Sequence, residues 1–128
     1  MSKILILLGS SSDEAVMSES VRYLDWFGIE NDMIVASAHR DPEKVTKLTT
    51  EAKANGYSVI IAAAGMAAAL PGVVAAHTQK PVLGCPMQAW ALDGLDSLLS
   101  TVQMPKGIPV ATFSIGGAGA TNAAIFAV

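Results

Sequence analysis

An α/β fold, with a five-stranded parallel sheet between two layers of helices, is the structure that this sequence predicts. Short apolar runs alternate along the chain with longer segments of helical pattern, and this alternation is typical of βαβ units, whose strands lie parallel. The first run, Ile4–Leu8, contains no polar residue, which indicates a strand buried on both faces. The 128 residues suffice for one domain, which we assign to residues 1–128.

Each predicted strand is an apolar run, and each is followed by a segment of helical pattern. The strands are predicted over Ile4–Leu8, Met33–Ala36, Val59–Ala63, Val82–Cys85 and Val110–Ile115, with the third at the centre of the sheet. The helices are predicted over Asp13–Phe27, Glu43–Asn55, Leu70–His77, Asp93–Val102 and Gly119–Val128. The chain thus contains five strand–helix units.

Capping residues mark the bounds of the first two helices. Ser12 or Asp13 is the expected N-cap of the first helix, and Gly28 ends it. Four apolar side chains form a stripe along this helix: Val16, Val21, Leu24 and Phe27. The second helix is polar, begins with Pro42 in its first turn and ends at Gly56.

Charged residues are few and unevenly distributed. They make up 15% of the chain, against about 25% in an average soluble domain, and the net charge is −3. This balance argues against electrostatic binding of nucleic acid, and the 52% of hydrophobic residues argues against disorder. Fifteen of the nineteen charged side chains lie in residues 1–53 and four in residues 54–128. The second half would therefore be poorly solvated in a lone monomer.

The longest uncharged stretch, residues 54–79, is long enough to span a bilayer, but its composition predicts a buried strand and helix instead. Alanine dominates it, and Gly65 and the pair Pro71-Gly72 interrupt it. The N-terminal apolar run is too short for a signal peptide, and the single cysteine, Cys85, has no partner for an internal disulfide. We therefore expect a cytoplasmic protein that does not contact a membrane.

The loops that follow the strands are the expected location of chemistry, because ligands of open parallel sheets bind at the carboxyl ends of the strands. The first loop, Gly9–Asp13, combines a glycine, three serines and the N-terminus of a helix, which together suit a phosphate. An ordinary helix N-cap explains the same residues equally well. The loop lacks the lysine of a P-loop and the full glycine pattern of a dinucleotide-binding fold, so neither class is predicted.

The second loop, Ser37–Pro42, contains the dipeptide His39-Arg40. A histidine side chain transfers protons near neutral pH, and an arginine binds an anion through two parallel hydrogen bonds. A solvent-exposed loop would account for such a dipeptide in most positions. Because this one follows a strand beside a phosphate-type loop, a chemical role and a solvated loop are weighted equally.

The remaining candidates have simpler structural explanations. His77 falls near the end of a helix and is interpreted as a helix-end or packing histidine. Cys85 has no base beside it in the sequence, so buried packing is its favoured interpretation. The small residues of the segment 62–72 permit close approach of a ligand or a subunit but are equally typical of tight packing. Residues 116–119 are interpreted as a glycine-rich turn rather than a second anion loop, and the two tryptophans as core or interface residues. No Cys/His cluster in the sequence has the spacing of a metal site.

Six sequence blocks stand in an order that matches one known family. They are Gly9–Asp13, Ser37–Arg40, Leu70–Gly72, Gly94–Leu98, Gln103–Val110 and Asn122–Ala124. Together they resemble the PurE family of de novo purine biosynthesis over essentially the whole chain. The resemblance is stronger to the class that acts as N5-carboxyaminoimidazole ribonucleotide mutase than to the direct carboxylase class, which has a different third loop.

The resemblance implies a flavodoxin-like three-layer fold, no metal, no organic cofactor, and a homo-octamer with sites at subunit contacts. It also implies an aminoimidazole ribonucleotide substrate, whose carboxylate moves from the exocyclic nitrogen to the ring carbon through carbon dioxide held in a closed pocket. His39 is then the general acid and base. The implied ribose-phosphate ligands are Ser10, Ser12, Asp13, Ser37 and Arg40. The further implied substrate-binding residues are Gly9, Ala38, Ala64, Gly65 and Leu70.

Two residues of the third loop depart from the family pattern. Met66 replaces a glycine, and Ala69 stands where a second site histidine is expected. Two hypotheses follow: an active mutase that uses His39, and a ribonucleotide-phosphate binder with impaired chemistry. A third hypothesis, a carboxylase or decarboxylase of another flat heteroaromatic phosphate, differs from the first in its substrate.

Overall fold

The computed structural model describes residues 3–128, so Met1 and Ser2, which begin the segment tested above for a signal peptide, lie outside the described residues. The strands are β1 (Lys3–Leu8), β2 (Glu30–Val35), β3 (Tyr57–Gly65), β4 (Val82–Met87) and β5 (Ala111–Thr112). The helices are α1 (Glu14–Trp26), α2 (Pro42–Thr50), α3 (Leu70–His77), α4 (Leu95–Val102) and α5 (Gly117–Ala127). No helix among the described residues is long and apolar enough to cross a membrane.

The five strands form one parallel sheet with the order β2-β1-β3-β4-β5. β3 lies at the centre, as predicted, between β1 and β4. Because all the strands are parallel, their carboxyl ends lie at one edge of the sheet. The loops that follow β1, β2, β3 and β4 therefore meet at that edge.

The helices cover both faces of the sheet, which confirms the predicted three-layer α/β fold. Along β1, Ile4, Ile6 and Leu8 belong to one core cluster. Leu5 and Leu7 belong to the other. The first cluster is completed by α1 and α5 and the second by α2 and α3. α4 packs on the same face as α3, since side chains of both helices lie beside the same glycine of β4.

β5 is shorter than predicted. The sequence predicts a strand over Val110–Ile115, but only Ala111–Thr112 pairs with β4. Phe113 N donates a hydrogen bond to Gly84 O at 3.0 Å, and the next donor on β4 would be Pro86, which has no N–H. The ladder therefore stops here and the chain turns into α5.

Two helix boundaries also differ from the prediction. α2 ends at Thr50, before the predicted Asn55, because residues 51–56 form successive turns with short-range hydrogen bonds instead of a regular helix. α4 begins two residues later than predicted, since Asp93 and Gly94 have φ values of 57° and 94°. A right-handed helix does not allow such values.

The other elements agree with the prediction to within three residues. α3 spans the predicted Leu70–His77, and α5 begins slightly early, at Gly117. β2 begins at Glu30, because its polar first half pairs with the start of β1. There the Asp32 carboxylate forms an ion pair with Lys3 at 3.1 Å, so a polar segment is stable at the sheet edge.

Candidate active site

The loops at the carboxyl edge of the sheet enclose a cavity of about 360 Å³, and all eleven residues implicated by the sequence line it. They come from three places: Gly9, Ser10, Ser12 and Asp13 after β1; Ser37, Ala38, His39 and Arg40 after β2; and Ala64, Gly65 and Leu70 between the end of β3 and the start of α3. The fold thus gathers residues from distant parts of the sequence around one space of the size that holds a small ligand.

Gly9 brings the first loop into close contact with β3. Its N–H donates to Ala63 O at 2.8 Å, and a Cβ at this position would lie 3.2 Å from the Cβ of Ala64. A larger residue would push the loop away from β3. The close approach therefore favours glycine here.

The serines of the first loop order the start of α1. Ser10 Oγ accepts a hydrogen bond from Ser12 N at 3.2 Å and lies 2.9 Å from Ser12 Oγ. Ser10 thus caps the 3₁₀ turn Ser11–Asp13. Asp13 is the N-cap residue of α1, one of the two predicted, but its side chain makes no capping hydrogen bond. Two hydroxyls and the N-terminus of a helix border the cavity, an arrangement that suits an anion.

Asp13 has an oxygen atom that no group in the described chain satisfies. Its Oδ2 atom is buried and has no hydrogen-bond partner among residues 3–128. Burial raises the pKa of this carboxyl, and a hydrogen bond with the backbone of Ser10 opposes that effect. A buried acceptor without a partner costs free energy. A ligand with hydroxyl donors would remove this cost.

Ser37 shapes the turn that carries His39 and Arg40. Its Oγ accepts from Arg40 N at 3.1 Å, and Asp41 N donates to Ser37 O at 2.9 Å. Asp41 then caps α2 by accepting from Lys44 N at 3.3 Å. His39 and Arg40 are exposed at the cavity, and within residues 3–128 Arg40 forms no ion pair. Its guanidinium is therefore available to an incoming anion.

The third wall of the cavity consists of small and apolar side chains between β3 and α3. Met66 has a φ of 53°, a left-handed conformation that favours glycine and costs other residues about 1–2 kcal/mol. Ala69 is the N-cap of α3 and makes no capping hydrogen bond through its side chain. Among the described residues that line the cavity, His39 is the only one with an imidazole. An imidazole at the cavity is a group that can transfer a proton near neutral pH.

A fourth wall, formed by Met87, Gln88 and Ala89, was not predicted from the sequence. These residues end β4 and begin the loop that follows it. The signal that could have found this wall was the place of β4 next to the predicted central strand, because the loops that follow neighbouring parallel strands lie at the same edge of the sheet. None of the three residues carries a group whose chemistry draws attention in the sequence.

Two reactive side chains do not line the cavity, in agreement with the prediction. His77 ends α3, where its Nδ1 lies 2.8 Å from Val73 O. Cys85 is buried in β4, and burial raises the pKa of its thiol to about 12, so it is not a nucleophile near neutral pH. In the part of the chain that the structure describes, no three His, Cys, Asp or Glu side chains come together to hold a metal ion.

Comparison with known proteins identifies the class of protein that this fold and site define. The profile of the AIR carboxylase family matches residues 3–128, and the chain belongs to this family. Over 125 residues it is 51% identical to the N5-carboxyaminoimidazole ribonucleotide mutase of Haemophilus influenzae, covering 98% of this chain and 76% of that protein. Over 125 residues it is 50% identical to the mutase of the same name from Escherichia coli K12, covering 98% and 74%.

A solved structure agrees with the same assignment. The crystal structure of Treponema denticola PurE superimposes with a TM-score of 0.88 at 30% identity, covering 99% of this chain and 78% of that one. The predicted family and fold are therefore both confirmed.

Proposed function

We propose that this chain is an N5-carboxyaminoimidazole ribonucleotide mutase of purine biosynthesis, with its active site in the cavity at the carboxyl edge of the sheet. The observation that carries the proposal is the convergence of an anion-binding loop and the His39-Arg40 turn on one cavity. The mutases that share about half of the sequence support it. The single cysteine, Cys85, is compatible with the cytoplasm as the location of this activity.

The ribose phosphate of the substrate fits the polar side of the cavity. Arg40 and the N-terminus of α1 oppose the negative charge of the phosphate. The hydroxyls of Ser10, Ser12 and Ser37 donate to its oxygens. Asp13 accepts from the ribose hydroxyls, which gives its buried Oδ2 atom the partner that it otherwise lacks.

His39 carries the proton of the reaction. The carbamate C–N bond breaks, carbon dioxide leaves, and the protonated imidazole of His39 donates its proton to the exocyclic nitrogen. The electron-rich ring carbon then attacks the carbon dioxide and forms the new C–C bond. His39 takes up the proton of that carbon, which restores both the aromatic ring and the protonated imidazole. The cycle consumes and releases no other proton.

Turnover of the N5-carboxylated ribonucleotide, measured in a coupled assay, tests this function. We expect the unaltered chain to form the C-carboxylated product, because His39 and both phosphate-binding loops line the cavity. Ala69→His is expected to raise kcat by about tenfold, because it places a second proton-transferring group on the third wall. Ala69→Leu, an apolar change at the same position, is the control and should give no gain.

The alternative function is a ribonucleotide-phosphate binder without catalysis, which the alanine at position 69 favours. It predicts that the ribonucleotide raises the melting temperature of the chain while neither the chain nor Ala69→His turns it over. That combination of results would refute the mutase proposal. Turnover by the unaltered chain would dismiss the binder.

We further propose that the chain works as a homo-oligomer, and the family resemblance implies an octamer. On α4, Leu95, Leu99 and Val102 are 53%, 50% and 43% exposed, and at the end of α5 Phe126 is 68% exposed. The three side chains on α4 are spaced four and three residues apart, so they form one exposed apolar face of that helix, and such a face is typical of contacts between proteins. Its burial against other subunits would also explain why only four charged residues occur in residues 54–128.

Leu99→Glu is expected to dissociate the oligomer and lower the measured mass toward the 13.2 kDa of one chain. The change places a charge in the exposed apolar face of α4, and burial of that charge without a partner is unfavourable. Ser100→Glu adds the same charge to an adjoining, exposed position of the helix and should leave the mass unchanged. Size-exclusion chromatography with light scattering measures both. A monomeric parent chain, or Leu99→Glu of unchanged mass, would contradict the proposal.

A further inference from the structure

Trp90 is the most exposed large apolar side chain of the described residues, at 93%. It lies in the loop between β4 and α4, directly after Gln88 and Ala89, which line the active-site cavity. The sequence predicts that the two tryptophans lie either in the core or at an interface. The structure excludes the core for both, since Trp26 is also 77% exposed. At Trp90, an uncovered aromatic ring stands one residue from the wall of a ligand site.

Hydrogen bonds at the base of this loop hold Trp90 away from the core. Asp93 N donates to Ala89 O at 2.9 Å, and the side-chain amide of Gln88 donates to the carboxylate of Asp93. Asp93 and Gly94 then adopt left-handed backbone conformations and reverse the chain before α4. Trp90 therefore lies in a short loop whose ends are joined by hydrogen bonds to Gln88 and Ala89, which line the cavity.

A second cavity, of about 500 Å³, adjoins the first and extends it to Trp90. The two cavities share five lining residues, Ser12, Asp13, Met87, Gln88 and Ala89. The described residues that line the first cavity include no phenylalanine, tyrosine or tryptophan. Among the described residues that line the second cavity, Trp90 is the only aromatic one of these three types. Trp90 is thus the large aromatic surface that the joined cavities offer to a flat ligand.

We propose that Trp90 stacks on the aminoimidazole ring of the bound substrate and covers it during catalysis. This inference rests on the proposed function, which supplies the flat heteroaromatic ring. With the ribose held by Asp13, which borders both cavities, the ring extends into the space that they share. An indole stacks on such a ring whatever its substituents, so Trp90 binds substrate and intermediate alike.

A cover over the ring is important for this reaction because its intermediate is a small neutral molecule. Between cleavage of the C–N bond and formation of the C–C bond, carbon dioxide is held only by the walls of the cavity, where His39 is open to solvent. Contact between the indole and the ring excludes water from this space. Without Trp90, a larger share of turnovers would lose carbon dioxide and release the decarboxylated ribonucleotide.

The experiment uses the fact that the chain has two tryptophans, so that Trp26→Phe leaves Trp90 as the single indole reporter. Trp26 ends α1, about 20 Å along the helix from Asp13, and is the matched exposed control. Two probes are titrated: 5-aminoimidazole ribonucleotide, which has the ring, and ribose 5-phosphate, which lacks it. The melting temperature reports the binding of each probe independently of fluorescence.

We expect both probes to raise the melting temperature, but only the ribonucleotide to change the emission of Trp90. Trp90→Ala should raise the Kd of the ribonucleotide about tenfold and leave that of ribose 5-phosphate unchanged. Trp90→Phe keeps a ring and should stay within about threefold of the parent Kd. In turnover assays Trp90→Ala should release a larger share of 5-aminoimidazole ribonucleotide than the parent, and Trp26→Ala should not.

Three results would overturn the inference. If the ribonucleotide is bound and turned over while the emission of Trp90 and the Kd of Trp90→Ala stay unchanged, Trp90 is not part of the site and the proposed function stands. If the emission of Trp90 is already blue-shifted without ligand and does not respond to it, Trp90 lies in a subunit contact. If the ribonucleotide neither binds nor reacts, the proposed function fails and this inference fails with it.

Discussion

His39→Asn is expected to lower kcat of the mutase reaction by about 10³-fold. In the proposed mechanism the imidazole of His39, which lines the cavity, transfers the proton, and an amide of similar size does not exchange protons near neutral pH. The serines, Asp13 and Arg40 that we propose as ribose-phosphate ligands are not changed by the substitution. The Kd of 5-aminoimidazole ribonucleotide should therefore stay within about threefold of the parent value.

The chain offers a matched control for this variant because it has two histidines. His77→Asn removes the imidazole at the end of α3, outside the cavity, and should leave kcat unchanged. Steady-state kinetics at saturating substrate compare the two variants, and circular dichroism verifies that both are folded. Full activity of His39→Asn would contradict the role assigned to His39.

Gly119→Ala is expected to lower the free energy of unfolding by about 3 kcal/mol or to prevent folding. Gly119 is buried near the start of α5, where a Cβ would lie 1.7 Å from Ser114 O and 2.8 Å from its carbonyl carbon. The obstacle is backbone, so it cannot rotate aside as a side chain can. Relief requires α5 to shift within the core cluster that it shares with α1. This cost exceeds the gain of about 1 kcal/mol that alanine brings to a helix over glycine.

Gly117, two residues earlier in the same helix, is the matched control, because nothing lies within 4 Å of its Cβ position. Gly117→Ala should leave the free energy of unfolding unchanged or raise it by up to about 1 kcal/mol. Urea denaturation followed by circular dichroism measures both variants. Equal stability of the two would mean that the backbone at Ser114 yields to a methyl group, contrary to this expectation.

Two walls of the active site were predictable from the sequence because each is a continuous segment directly after a strand. Gly9–Asp13 and Ser37–Arg40 carry their polar groups in adjacent residues, so neither sheet order nor packing is needed to recognise them. The strands and helices were predictable for the same reason, since their hydrophobic patterns are local. The span of α3 required no information from other parts of the chain, whereas β3 extends two residues beyond its predicted apolar run at each end.

The fourth wall and the fine geometry depend on contacts that no local pattern contains. Gln88 and Ala89 border the cavity only because β4 lies beside β3 in the sheet. The burial of an Asp13 oxygen that has no hydrogen-bond partner within residues 3–128 is likewise seen only in the folded chain. The early end of β5 follows from Pro86 on the neighbouring strand. Each of these features joins residues that are distant in the sequence.

Because β3 lies at the centre of the sheet, the enzyme acquires its binding site late during synthesis. β1 pairs with β3 through residues that are far apart in the chain, such as Ile6 and Ile61. The loops that carry His39 and the serines of the cavity leave the ribosome before β3 does, so the residues that face them in the folded protein have not yet been synthesised. A nascent chain that ends before residue 57 holds every hydroxyl and ionisable group that lines the cavity, but it has no cavity. Substrate affinity therefore arises together with long-range strand pairing, and ligand binding reports a completed sheet.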